Sequence, residues 1–135
     1  MAETMKGRVL VVDDEEDIRE TLADRVEAEG YEVSMAADGV EGLVKIRAEQ
    51  PDLVLLDLQM PRLDGMGVLE AIRAEQLPVT VVVVSAFGTI ERAVEAMKAG
   101  AADFIPKPFE PDHVRVVIAK AVELRRLQRE NELLR

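Results

Sequence analysis

Asp13, Asp14, Asp57, Ser85 and Lys107 are the residues of this chain best placed to do chemistry together, because each stands where a short apolar run stops. The acidic pair follows Val9-Leu10-Val11-Val12, and Asp57 follows Leu53-Val54-Leu55-Leu56. Ser85 follows Val81-Val82-Val83-Val84, and Lys107 closes Phe104-Ile105-Pro106. Three carboxylates gathered in one pocket repel one another, which drives one of them to take up a proton unless a cation intervenes. Carboxylates without His or Cys partners favour a hard divalent ion such as Mg²⁺, Mn²⁺ or Ca²⁺ over zinc. Lys107 adds a compact positive charge and Ser85 a hydroxyl donor. Such a set suits a metal ion and a phosphoryl group, with one Asp left to act as nucleophile. Asp57 is the candidate nucleophile, since it ends the central run with the other groups on either side.

What must position these groups is a parallel sheet. Short continuous apolar runs alternating with helical patterns read as buried parallel strands, and ligands of such sheets bind beyond the carboxyl ends of the strands. The first run leads into a helix from about Glu16 to Glu29, with Ile18, Leu22 and Val26 on one face and Gly30 ending it. Tyr31–Met35 alternates as a second strand, and Asp38-Gly39 turns into a helix through Val40, Leu43, Val44 and Ile46. Pro51 breaks the chain before the third strand. A loop holding Pro61 and Gly65 precedes a helix through Met66, Leu69 and Ile72. Pro78 introduces the fourth strand, Val79–Val84; Thr89 caps a helix carrying Ile90, Ala93, Val94 and Met97, a stripe read as mostly core packing. Asp103–Pro106 is the fifth strand, and a long helix starts near Pro111. Strict alternation with short loops predicts a doubly wound α/β domain. Asp38 and Asp64 read as turn or capping residues. His113 reads as a surface or capping residue at a helix start.

The composition narrows the function. A chain of 135 residues with 48% hydrophobic residues forms one domain with one core, and 3% aromatics make that core aliphatic. Absence of cysteine removes disulfides, thiolate metal sites and cysteine nucleophiles. The net charge of −10 argues against direct grip on nucleic acid. No apolar run approaches the ~20 residues that span a bilayer, and Met1–Gly7 shows no export signal, so a cytoplasmic location without membrane contact is expected.

Order, spacing and strand context of Asp13-Asp14, of Asp57 in LDLQMPRLDG, of Ser85-Ala86 and of Lys107-Pro108 resemble the receiver domain of two-component response regulators, from Arg8 to about Ala121. The resemblance implies a flavodoxin-like five-stranded parallel sheet in the order 2-1-3-4-5 with five helices, the last extended. It also implies that Asp57 accepts a phosphoryl group from a histidine kinase. Asp14, Asp57 and the backbone carbonyl of Gln59 would bind Mg²⁺ (or Mn²⁺), with Asp13 reaching the ion through water. Lys107 would pair with the phosphoryl oxygens across a cis Lys107-Pro108 bond. Ser85 would swing toward the group and Phe104 rotate inward behind it, altering the face of helix four, strand five and helix five. Gln59 and Phe87 take the positions that tune hydrolysis in the family. Such a domain is a signalling module rather than an enzyme, apart from its own phosphorylation and dephosphorylation.

A narrower similarity, in GTIERAVEAMKAGAADFIPKPF and in Glu130-Asn131-Glu132-Leu133-Leu134, is to receivers of the NtrC class, which precede an ATPase acting on sigma-54 polymerase. Three segments are therefore expected: an extension over 1–7, a receiver over 8–121, and a helical linker over 122–135. Val117, Leu124, Leu127, Asn131 and Leu134 fit heptad a and d positions, with Lys120 the misfit, and suggest a homodimeric coiled coil. The other reading of this stretch is a frayed amphipathic tail. Ending in mid-pattern, the chain is expected to continue into an effector domain, through which any contact with DNA or sigma-54 polymerase would run. Three other readings compete. A haloacid-dehalogenase-type phosphotransferase would need Asp-x-Asp after the first strand, and a flavin binder a Ser/Thr/Gly loop there. An inactive receiver serving as an oligomerisation scaffold is opposed by the complete set of polar residues.

Overall fold

The computed structural model describes residues 6–86 and 90–133, positions 90 and 133 by backbone alone. Most of the N-terminal extension, Phe87, Thr89 and Leu134 therefore lie outside the described residues. The elements follow in strict alternation: β1 (Arg8–Val12), α1 (Glu16–Ala28), β2 (Glu32–Ala36), α2 (Gly39–Glu49), β3 (Leu53–Asp57), α3 (Gly65–Glu75), β4 (Thr80–Ala86), α4 (Ile90–Lys98), β5 (Asp103–Lys107) and α5 (Pro111–Leu133). All strand pairs are parallel, in the order β2-β1-β3-β4-β5. This is the expected flavodoxin-like arrangement.

Both faces of the sheet are covered, which is why the inner strands are apolar throughout. Leu10, Val12, Val54, Leu56, Val81 and Val83 pack with α2 and α3 and with Ala96 of α4. Val9, Val11, Leu53, Leu55, Val82 and Val84 pack with Leu22 and Val26 of α1 and with Val114, Val117 and Ile118 of α5. Each such side chain, at most a few per cent exposed, contributes roughly 1.5–3 kcal/mol of apolar burial. The register then aligns the strand ends: Val12 stands beside Leu56, Asp57 beside Val84, and Ala86 beside Lys107.

Two helix starts, those of α2 and α3, carry the expected caps. Asp38 accepts the Glu41 amide at 2.8 Å and Asp64 the Gly67 amide at 2.9 Å. Gly30, with φ of +101°, ends α1 as read from the sequence.

Several details differ from the sequence expectations. β2 is shifted by one residue, and Met35 is 38% exposed, because an edge strand is only partly roofed by helices. Part of the α4 stripe is not core: Val94 and Met97 are 45% and 44% exposed and Ala93 is half-buried, while Ala96 is buried, and the Ile90 side chain lies outside the described residues. In α2 only Leu43 and Ile46 of the four apolar positions are buried; Val40 and Val44 face outward. β4 and β5 each extend to include the functional side chains, ending at Ala86 and Lys107. Helices α2 and α3 close on Gln50 and Gln76 in left-handed conformation, φ of 50° and 54°, where no glycine marks the stop. His113 is exposed near the start of α5.

Candidate functional site

The carboxyl end of the sheet gathers the polar residues as their positions after the apolar runs require. One carboxylate oxygen from each of Asp13, Asp14 and Asp57 lies within 4.8 Å of the other two. Asp13 and Asp57 are 1% and 4% exposed, whereas Asp14 is open to solvent. Lys107 Nζ lies 3.0 Å from Asp13 Oδ2 and 3.4 Å from Asp57 Oδ2, and so bridges the two buried acids. Ser85, 3% exposed, donates from Oγ to the Ala86 carbonyl at 3.4 Å. The Lys107-Pro108 peptide bond is cis. Phe104 is half-buried on β5 and packs against the core on the α2–α3 side.

Backbone contacts hold the acids in place. Asp13 Oδ1 accepts the Glu15 amide at 2.9 Å, and the Asp13 amide donates to the Ala36 carbonyl at 3.2 Å. Asp57 Oδ1 accepts the Gln59 amide at 3.2 Å. Gly65 opens α3 so close to the end of β3 that a Cβ there would stand 2.5 Å from the Asp57 carbonyl oxygen and 2.6 Å from Leu58 Cα. The loop carrying Gln59 can turn back onto α3 because this position has no side chain.

Arg19 was not anticipated. Its Nη1 donates to the Asp13 carbonyl at 2.9 Å, tying α1 to the loop after β1. No sequence signal marks it, since an arginine inside an acidic helical stretch reads as a solvated surface residue.

Electrostatics follow from burial. Desolvation raises the Asp57 carboxyl to about 6, with the facing Asp13 charge adding to the rise; Lys107 and the Gln59 amide oppose it. Burial would lower the Lys107 ammonium, but its hydrogen bond to Asp13 and the charges of Asp57 and Asp13 outweigh that and raise it. Three acids against one ammonium leave the pocket with surplus negative charge, two of the acids being buried. The donors are all oxygen and lie close together, so the residues fit a hard divalent cation.

The description "response regulator receiver domain" matches residues 9–119. The chain belongs to this family. The receiver is 46% identical over 128 residues to the nitrogen assimilation regulatory protein NtrX of Azorhizobium caulinodans, pairing 93% of this chain with 28% of that one. It is 33% identical over 127 residues to the regulatory protein AtoC of Escherichia coli, again covering 28% of the relative. These relatives agree with the NtrC-class resemblance, and the receiver spans little more than a quarter of either. Among solved structures, NtrX from Brucella abortus in complex with ADP superposes with a TM-score of 0.88 at 41% identity, covering 97% of this chain and 29% of that one. The separate receiver domain of that NtrX superposes with a TM-score of 0.81 at 42% identity, covering 85% of this chain and 98% of its own. Every polar residue of the cluster falls inside the matched span, whereas α5 continues well beyond it. The receiver is a signalling domain, and among its described residues no helix is long and apolar enough to cross a membrane.

Proposed function

We propose that the receiver is the phosphoacceptor of a two-component relay, with Asp57 taking a phosphoryl group from the phosphohistidine of a sensor kinase. The observation that carries this reading is the buried Asp57 carboxylate at the end of the central strand, with Lys107 at 3.4 Å and two further acids within 4.8 Å. An Asp57 oxygen attacks phosphorus, the P–N bond breaks as the P–O bond forms, and the imidazole departs with the electron pair. The product is an acyl phosphate. Asp14, Asp57 and the Gln59 carbonyl would hold Mg²⁺ (or Mn²⁺), with Asp13 reaching it through water. When bound, the ion offsets the negative charge of the acids and of the incoming phosphoryl oxygens.

The chain's own residues do the rest. Lys107 sits between Asp13 and Asp57 and is placed to turn toward a phosphoryl oxygen. The Ser85 hydroxyl makes only a long bond to its neighbour's carbonyl, so leaving it costs little. A better hydrogen bond from Ser85 to the phosphoryl group favours one conformation over the other, which is what a switch needs. Phe104 would move inward behind it, and the readout would be a changed α4–β5–α5 face. Val94 and Met97 on α4 are exposed. Output would pass through pairing of two copies along Leu124, Leu127, Asn131 and Leu134, and through an effector domain that contacts DNA or sigma-54 polymerase, in the cytoplasm. Leu124 and Leu127 are 41% and 52% exposed, whereas Val117 is committed to the core, so a seam could start only after it.

Light scattering before and after treatment with a small acyl-phosphate donor and Mg²⁺ tests the coupling. The expected result is a changed oligomeric state that Asp57→Asn abolishes. An unchanged state on a fully phosphorylated sample would remove assembly from the output, and a receiver that no donor phosphorylates would favour the scaffold alternative.

A further inference from the structure

The part of α5 beyond the matched receiver span sorts its residues by face. Val122 is half-buried, Arg125 is buried, and Arg129 pairs with Asp52. Spaced three and four apart, these residues form one stripe along the helix. In the heptad frame that stripe holds b and f positions, across the helix from the a and d positions of Leu124 and Leu127. One side of the helix therefore meets the receiver, and the leucines face away.

Asp52 is the anchor on the receiver side. It immediately precedes β3, at the pole opposite Asp57, five residues and roughly 17 Å along the same strand. Its Oδ2 accepts the Arg8 amide at 2.9 Å while its Oδ1 faces Arg129. A Cβ on Gly7 would lie 3.2 Å from Asp52 Oδ2 and 3.3 Å from Val122, so the start of β1, Asp52 and the helix are in contact. The Arg125 side chain, 6% exposed, lines a cleft with Leu77, Pro78 and Val79 of the α3–β4 connection. Its Nη1 faces Glu132 at 3.5 Å, and its Nε has no partner among the described residues. Burying a guanidinium against one long ion pair returns only part of its desolvation cost. Glu132 lies on the same helix, so Arg125 meets the receiver by packing, and the ionic tie across the contact is that of Arg129 to Asp52.

We infer that Asp52, Arg125 and Arg129 form a brace that holds the α5 extension against the base of its own receiver and fixes which face of that helix turns outward. The brace stands on intramolecular contacts alone. Its consequence, presentation of Leu124 and Leu127 to a second copy, rests on the pairing reading above.

Hydrogen exchange at the amides of Arg126 to Glu132 tests the brace, on the full chain at a concentration where light scattering gives a monomer. Arg129→Gln should exchange about five-fold faster there at low salt, with Arg129→Lys close to wild type. In about 1 M salt the wild type should rise to the Arg129→Gln rate. Amides in β1 and β3 should keep their protection, which separates local release from global unfolding. Unchanged exchange in Arg129→Gln would overturn the proposal. So would equal acceleration in both variants without any salt dependence, because that is the mark of simple packing. A chain that stays monomeric at every concentration would sink the pairing reading and leave this experiment intact.

Discussion

Burial and the facing Asp13 raise the Asp57 carboxyl, and its protonation should be visible in stability. With a folded value of about 6 against roughly 3.9 for an unfolded aspartate, the unfolded chain gives up this proton first. Stability contributed by the neutral carboxyl is therefore present below pH ~4 and lost as pH rises to ~6. Asp57→Asn stays neutral throughout, so without metal it should be more stable than wild type above pH ~6, with the margin vanishing below pH ~4. Urea unfolding at both ends of that window measures the difference, and an equal margin at both would contradict a buried charge at Asp57. The five polar groups were legible in the sequence because each ends an apolar strand, so topology alone had to bring them together. Arg19 and Arg125 were not, because arginine is ordinarily exposed and neither stands at a strand end. Their positions are set by tertiary contacts, with the Asp13 carbonyl and with the α3–β4 connection.

At the scale of elements, the link between β3 and α3 is the tightest junction at the site. Gly65→Ala would press a methyl group onto the Asp57 carbonyl and Leu58, backbone atoms that cannot rotate away. A cost of about 1–3 kcal/mol is expected, read from denaturant unfolding, together with weaker Mg²⁺ binding as the Gln59 loop shifts. A loss under ~0.5 kcal/mol with unchanged Mg²⁺ binding would mean that the junction has slack. The outer stripe of α5 should behave oppositely. Because Leu124 and Leu127 are exposed, changing both to Glu should leave monomer stability within about 0.5 kcal/mol yet abolish pairing in light scattering. Strands and helix starts could be read from apolar runs and from Asp38 and Asp64, whereas the strand order came only with the receiver resemblance. The phase of α4 could not, since Ala93, Val94, Ala96 and Met97 offer apolar groups on more than one side, and small alanines proved to be what fits against the sheet. The stops at Gln50 and Gln76 were equally hidden, because left-handed glutamine carries no sequence signal.

For the whole molecule, one strand joins the two ends of the account. β3 begins beside Asp52, where the α5 extension is anchored, and ends at Asp57, where chemistry is proposed. Receiver membership, fold and site geometry form one consistent picture, and α4, β5 and α5 are the proposed readout of a signal entering at the Asp57 pole. The proposed function depends on Asp57 accepting a phosphoryl group. The most direct measurement is intact mass after incubation with a small acyl-phosphate donor and Mg²⁺, followed by peptide mapping. The account predicts a gain of a single phosphoryl group, located on the peptide holding Asp57, lost on removal of Mg²⁺ and absent in Asp57→Asn. Phosphorylation that persists in Asp57→Asn, or a receiver that no donor or kinase modifies, would contradict it.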